Sequence, residues 1–270
     1  MTVKLIHGDC IEEMQKLIDD GVQVDLTVTS PPYDNLRNYN NSLNWDFDVF
    51  KQVADKLYQI TKDGGVVVWI VNDATINGSE TGTSFKQALY FKTIGFRLHD
   101  TMIYKKTGIP FPEINRYYPC FEYMFVLSKG KPKTYNLIQD KVNTSGGHLI
   151  CCTERQVDGS MKKSSGRLKG RRMKKNGVRT NIWEYKTGMN NSSSNPIAFQ
   201  HPAIFPEKLA EDHIISWSDE GDTVLDCFMG SGTTGVACLQ TNRNFIGIEL
   251  DEKYYNIAKE RCSEYQSKLW

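Results

Sequence analysis

Five consecutive residues, Thr29, Ser30, Pro31, Pro32 and Tyr33, carry the most specific chemistry in the chain. They close an apolar run, Val24-Asp25-Leu26-Thr27-Val28, that reads as a buried strand. Neither proline has an amide hydrogen to donate, and each restricts the residue before it, so the carbonyls and the flanking hydroxyl are held rigidly. A ledge of acceptors ending in an aromatic ring suits a flat group that carries an amine. Ser30, Pro31, Pro32 and Tyr33 are therefore the candidate catalytic residues.

A second motif lies near the far end. The stretch Thr223-Val224-Leu225-Asp226-Cys227-Phe228-Met229-Gly230-Ser231-Gly232-Thr233-Thr234 reads as a strand, a tight glycine turn and a helix start. Its two threonines are placed to cap the first helical amides. Glu249, 23 residues after Asp226, closes the next apolar strand, where a carboxylate accepts hydrogen bonds from ribose hydroxyls. Together they describe an adenosine-binding crevice at the carboxyl ends of adjacent strands. The run from Gly230 to Gly235 only partly resembles the dinucleotide pattern GxGxxG, and no Lys follows the glycines as a phosphate-cradling loop requires.

These residues must be positioned by a sheet. Residues 3–6, 24–29, 66–71, 97–104, 121–127, 223–226 and 244–249 read as strands. Helical patterns cover 11–19 and 50–60, the second stopping at Asp63-Gly64-Gly65. Such alternation predicts an α/β fold, a mostly parallel seven-stranded sheet with helices on both faces. No helix separates 97–104 from 121–127, which predicts an antiparallel pair at one edge. Residues 34–45, 74–84 and 186–196 read as loops.

At 270 residues, 39% hydrophobic and 24% charged, the chain can hold one large α/β domain with an insertion. Its seven cysteines include no CxxC pair, and Cys151-Cys152 beside His148 makes a poor tetrahedral frame, so no metal is expected. The thiols read as reduced, which places the protein in the cytoplasm. The start has no apolar signal core and the longest apolar stretch, 66–71, is far too short to span a bilayer, so no membrane partner is expected. The net charge of +1 hides a segregation: residues 129–180 hold 14 Lys and Arg against three acids, a balance of +11 that leaves −10 elsewhere. A basic block of this kind, mid-chain and containing aromatics and glycines, favours a polyanion-binding insert over a solvated loop.

Three stretches, 29–33, 201–209 (His201-Pro202-Ala203-Ile204-Phe205-Pro206-Glu207-Lys208-Leu209) and 226–234, resemble the amino-methylating DNA methyltransferases of the cytosine-N4/adenine-N6 family. Their order, catalytic motif, variable region and then cofactor motif, resembles the circularly permuted beta class. The resemblance spans nearly the whole chain except the basic block. It implies a Rossmann-like fold, S-adenosylmethionine as cofactor and double-stranded DNA as partner. It divides the chain into a catalytic segment (residues 1–128), a target-recognition region (residues 129–196) and a cofactor-binding segment (residues 197–270) that completes the catalytic domain. Carried over by motif, Asp226, Phe228, Gly230, Ser231, Gly232, Thr233 and Thr234 surround the methionine end of the cofactor and Glu249 holds its ribose. Asp9, followed by Cys10, meets the adenine amino group, and His201, Ala203, Phe205 and Pro206 pack on the methionine end. Cys227 stands where the family usually has Pro.

The implied chemistry fits the ledge. An exocyclic amine on an aromatic ring is a poor nucleophile because its lone pair is delocalised. Acceptors for both amine protons, the Ser30 hydroxyl oxygen and the Pro31 carbonyl, localise that pair, while Tyr33 stacks on the base. The base must be flipped out of the duplex, and the basic insert supplies contacts that offset the cost. Ser before Pro-Pro-Tyr and the HPAxFP form resemble the cytosine-N4 subgroup, whereas adenine-N6 relatives more often carry Asp there. Either residue accepts an amine proton, so adenine stays open, as do methylation of RNA or a protein amide, and a binding protein without turnover. A homodimer and a partner restriction endonuclease are equally open. Cys120 reads as a strand residue rather than a covalent nucleophile, and His201 as a hydrogen-bonded support. Arg37 and Tyr39 either clamp the base or cover the pocket.

Overall fold

The computed structural model describes residues 1–33, 45–108, 115–150, 153–163 and 170–268. The Asn-rich loop with Arg37 and Tyr39, and the pair Cys151-Cys152, lie outside them. Two compact units are present, Met1–Asn136 with Asn181–Trp270, and Leu137–Thr180.

The first unit is built on one eight-stranded sheet. Its strands are β1 (Val3–His7), β2 (Val24–Thr29), β3 (Thr61–Val71), β4 (Arg97–Lys106), β5 (Phe121–Ser128), β6 (Ile182–Tyr185), β7 (Thr223–Asp226) and β8 (Asn244–Glu249). They lie in the order β1-β8-β7-β2-β3-β5-β4-β6. All pairings are parallel except those of β5, which runs against both β3 and β4. This is the α/β architecture the alternating pattern predicts, with one strand more. β4 and β5 do pair antiparallel, but the edge belongs to β6, whose Trp183 and Tyr185 are buried while Ile182 and Glu184 are exposed. Four residues of alternation inside a polar stretch give too weak a signal to read as a strand.

β2 is buried at all six positions and β3 from Gly65 onward, as strands covered on both faces require. Helices α1 (Cys10–Asp19), α2 (Phe47–Ile60) and α3 (Thr83–Thr93) precede the basic segment, and α4 (Glu207–Trp217), α5 (Thr233–Gln240) and α6 (Glu252–Lys268) follow it. α2 begins three residues before the predicted start because Asp46 caps it, accepting from the amides of Asp48 and Val49 at 2.9 and 2.8 Å. It ends at Ile60, as the pattern predicts; Thr61 already opens β3, and Gly64-Gly65 form an irregularity in that strand. A Cβ on Gly65 would sit 3.0 Å from the Asp25 carbonyl oxygen, so the close approach of β3 to β2 requires glycine there.

The unit Leu137–Thr180 contains only short antiparallel ribbons. Lys141–Val142 pairs with Asn176–Gly177, Thr153–Arg155 with Met161–Lys163, and Leu149 bridges to Arg172. No described residue in it is buried. Residues 129–136 and 181–196, on either side, belong to the first unit. Among the described residues no helix is long and apolar enough to cross a membrane, and no three His, Cys, Asp or Glu are grouped to hold a metal ion.

Candidate active site

Because β1, β8, β7 and β2 are parallel neighbours, their carboxyl ends share one edge of the sheet. Asp9 follows β1, Glu249 closes β8, the glycine turn follows β7 and the Ser30 ledge follows β2. A single cavity of about 490 Å³ opens there. It brings together most of the residues singled out in the sequence: Asp9, Cys10, Ser30, Pro31, Pro32, Tyr33, His201, Ala203, Phe205, Phe228, Gly230, Ser231, Thr233 and Glu249. Asp226, Gly232, Thr234 and Pro206 do not line it.

Asp226 is 1% exposed and works underneath. Its carboxylate accepts from Thr29 Oγ1 and Thr234 Oγ1, both at 2.7 Å, and from the Phe228 amide at 3.1 Å. One side chain thus ties the end of β2, the turn and the start of α5. Burial pushes its pKa up to about 6 against these hydrogen bonds. The threonines do not cap α5 as the sequence suggests: its cap is Gly232, left-handed at φ 79°, with no side-chain hydrogen bond. Thr234 turns inward to Asp226 instead, because a buried carboxylate needs donors more than a helix start open to the cavity does. A Cβ on Gly232 would come within 2.9 Å of Ala258, so the turn packs against α6 only as glycine.

Glu249 faces the cavity with both oxygens held, accepting from the amides of Gly230 at 2.8 Å and Asp251 at 2.9 Å. Burial pushes its carboxyl up, and the two amides oppose the shift. Asp9 caps α1 through Oδ1, which accepts from Ile11 and Glu12 at 2.8 and 3.2 Å. Burial and the neighbouring Asp9 charge push the Cys10 thiol up, so it stays protonated. Phe228 packs edge-on against Trp45 at 5.3 Å.

His201 supports the loop 201–206. Its Nδ1 accepts from the Ala203 amide at 3.2 Å and its ring stands edge-on to Tyr254 at 4.3 Å. Pro206 precedes α4 as its cap. Beyond α4, a buried arginine that no motif marks holds the turn from below: Arg261 of α6 donates to the Ser231 carbonyl and to Ser231 Oγ, and pairs with Glu207 at 2.6 Å. Burial pulls its pKa down and Glu207 opposes that.

On the ledge, Pro31 and Pro32 are buried while Ser30 and Tyr33 are half-buried. Ser30 Oγ lies 3.0 Å from Tyr33 Oη, which donates to Glu122 Oε2 at 3.0 Å. Lys106 forms an ion pair with the other Glu122 oxygen. Glu122, Lys106 and Tyr104 line the cavity, and no sequence motif marks any of them. β5 runs antiparallel, so its beginning reaches the edge where the parallel strands end. The available signal is a carboxylate inside the otherwise apolar run of residues 121–127, buried to 9% exposure in the fold. Cys120 precedes β5 and does not line the cavity; its carbonyl accepts from the Lys106 amide.

The cavity therefore combines a fixed set of acceptors, a carboxylate that suits vicinal hydroxyls and an aromatic wall. A family model described as DNA methylase, of the N6/N4 type, matches residues 24–260. The orphan methyltransferase M.BamHII of Bacillus amyloliquefaciens is 56% identical over 244 residues, 90% of this chain and 89% of that protein. The Type II methyltransferase M.SmaI of Serratia marcescens is 29% identical over 300 residues, 96% and 90% of the two chains. Among solved structures, PvuII DNA methyltransferase, described as cytosine-N4-specific, superposes with a TM-score of 0.66 at 17% identity, covering 100% of this chain and 93% of that one. The M1.HpyAVI–SAM complex superposes with a TM-score of 0.64 at 21% identity, over 97% and 100%. At such identities the two structures speak to the fold.

Proposed function

The chain belongs to the N6/N4 DNA methylase family, and from that premise we propose that it transfers a methyl group from S-adenosylmethionine to N4 of a cytosine flipped out of double-stranded DNA. We read its motif order as that of the permuted beta class. The observation that carries the proposal is the one cavity that Ser30 and Pro31 share with Gly230 and Glu249. Its size lies within the usual range for small-molecule sites. Its charged lining is Asp9, Glu122, Glu249 and Asp251 against Lys106, an anionic surplus that fits a cofactor carrying a sulfonium and an ammonium.

In this reading Glu249 accepts from the ribose hydroxyls, Asp9 from the adenine amine, and Phe228 and Phe205 wall the apolar regions. When bound, S-adenosylmethionine supplies a methyl group made electrophilic by its positive sulfur. The chain's own residues do the rest. Ser30 Oγ and the Pro31 carbonyl accept the two amine protons and localise the nitrogen lone pair, and Tyr33 presents its ring to the base. Fixed dipoles replace water around the amine, so positioning supplies most of the rate.

The unit Leu137–Thr180 is our candidate for target recognition within the region 129–196. Its exposed Lys and Arg, among them Lys162, Lys163, Arg171, Lys174 and Lys175, suit phosphates, and counterion release makes such binding strongly salt-dependent. The orphan name of the 56% identical relative favours action without a dedicated endonuclease. Sequencing the DNA of an expressing host for modified bases tests the reading. N4-methylcytosine in one short sequence context is expected, and modified adenine alone would overturn the cytosine assignment.

A further inference from the structure

Glu122 reaches the cavity from a strand that carries no recognised motif, and its hydrogen bonds have a determined direction. A carboxylate paired with Lys106 has no proton to give, so the Tyr33 hydroxyl donates its single hydrogen to Glu122 at 3.0 Å, nearer than its other acceptor, the Ile70 carbonyl at 3.5 Å. Tyr33 Oη can then only accept from Ser30, 3.0 Å away. The Ser30 hydrogen therefore points inward, and its lone pairs are left for a donor in the cavity. Without that bias a serine could as readily donate as accept, which would work against an amine. The titratable groups facing Glu122 are Tyr33 from the ledge and Lys106 and Tyr104 from β4; burial and the Glu122 charge push the Tyr104 phenol up, so it remains neutral there.

We propose that Glu122 is the proton acceptor of the methyl transfer, reached through the hydroxyls of Ser30 and Tyr33. As the amine nitrogen bonds to the methyl carbon, the methyl–sulfur bond breaks with its electron pair leaving on sulfur, and the nitrogen becomes acidic. Its proton moves to Ser30 Oγ, the Ser30 proton to Tyr33 Oη and the Tyr33 proton to Glu122 Oε2. Each hydroxyl ends neutral and Glu122 ends as a carboxylic acid, which exchange with solvent resets. Serine and tyrosine are far too weakly basic to keep the proton at neutral pH, so a relay needs a carboxylate at its end. The inference rests on the reading that Ser30 meets the amine, and it holds for cytosine and adenine alike.

The test is single-turnover transfer from labelled S-adenosylmethionine to unmethylated plasmid DNA by the full-length protein and its Glu122→Gln and Tyr33→Phe variants. Both variants are expected to slow transfer on the order of 100-fold, the usual share of positioned proton transfer. Rates in mixtures of light and heavy water should curve for the wild type, since several protons move together, and straighten in Tyr33→Phe. Calorimetric cofactor affinity in Glu122→Gln within about twofold of wild type shows an intact site. A Glu122→Gln enzyme with the wild-type rate overturns the proposal. So does a Tyr33→Phe enzyme at full rate, which decides the matter if the glutamine variant misfolds, because phenylalanine keeps the ring and removes only the hydroxyl. Digesting the same product to nucleosides identifies the base separately, so label in adenine would correct the cytosine reading and leave the relay standing.

Discussion

The sheet-based unit and the unit Leu137–Thr180 are ordered by different physics. In the first, six-residue β2 is wholly buried, and the residues around the cavity are tied to one another: Asp226 by three donors, Ser231 by Arg261, and Ser30 to Glu122 through Tyr33. In the second, no described residue is buried, and order comes from ribbons two or three residues long. Methyl transfer needs atoms held to a fraction of an ångström, which packing and satisfied buried networks provide. Attraction to a polyanion tolerates far looser placement, since charge acts over about a Debye length. Substitutions should therefore be costly and cooperative in the first unit, small and additive in the second.

Arg261→Ala should produce the largest loss. It empties the site of a buried guanidinium, leaves the half-buried Glu207 with only the Ser193 hydroxyl as donor among the described residues and frees the Ser231 carbonyl, at a cost of about 3–5 kcal/mol in urea unfolding. An effect under ~1 kcal/mol would mean that the turn is not held from below. Ser30→Ala removes the accepting hydroxyl and should cut turnover on the order of 100-fold while cofactor affinity stays nearly constant. Loss of affinity with unchanged turnover would reverse the roles assigned to the two motifs.

Asp226→Asn is best read through pH. Burial raises the Asp226 pKa from 3.8 to about 6, so the folded state holds a proton that the unfolded chain has released. That stabilisation is present below 3.8 and is lost as pH rises through about 6. The stability difference between wild type and Asp226→Asn should shift against wild type over this window, by on the order of 3 kcal/mol. A pH-independent difference would show that the carboxylate is ionised without penalty. The smallest effect belongs to the other unit: Lys174→Ala should leave stability within about 0.5 kcal/mol and lower the slope of log affinity against log salt by about one. If it unfolds the protein, the contrast between the units fails.

Where strands are buried and parallel, the sequence is direct. Apolar runs predict β2, β3, β7 and β8, and the rule that ligands sit at the carboxyl ends of such strands joins the glycine turn to Glu249, while the family resemblance brings the Ser30 ledge to the same site. Contributions that act from behind are not legible in this way. Arg261 reads as one more charge on a polar helix, because only the packing of α6 under the turn gives it partners. Thr234 reads as a cap until Asp226 is found buried beside it. Glu122 escapes notice because the carboxyl-end rule concerns parallel strands, and β5 enters the same edge by its beginning. β6 escapes because a short alternation inside a basic, polar stretch gives no periodic signal.

If the Ser30 ledge accepts an exocyclic amine of cytosine within the cavity, the methylated base identifies it: unmethylated DNA is incubated with the protein and methyl-labelled S-adenosylmethionine, then digested to nucleosides and resolved by mass spectrometry. Label is expected in N4-methyldeoxycytidine, reduced to about 1% of wild type in Ser30→Ala. Label confined to N6-methyldeoxyadenosine, or undiminished in Ser30→Ala, would mean that the ledge does not receive a cytosine amine.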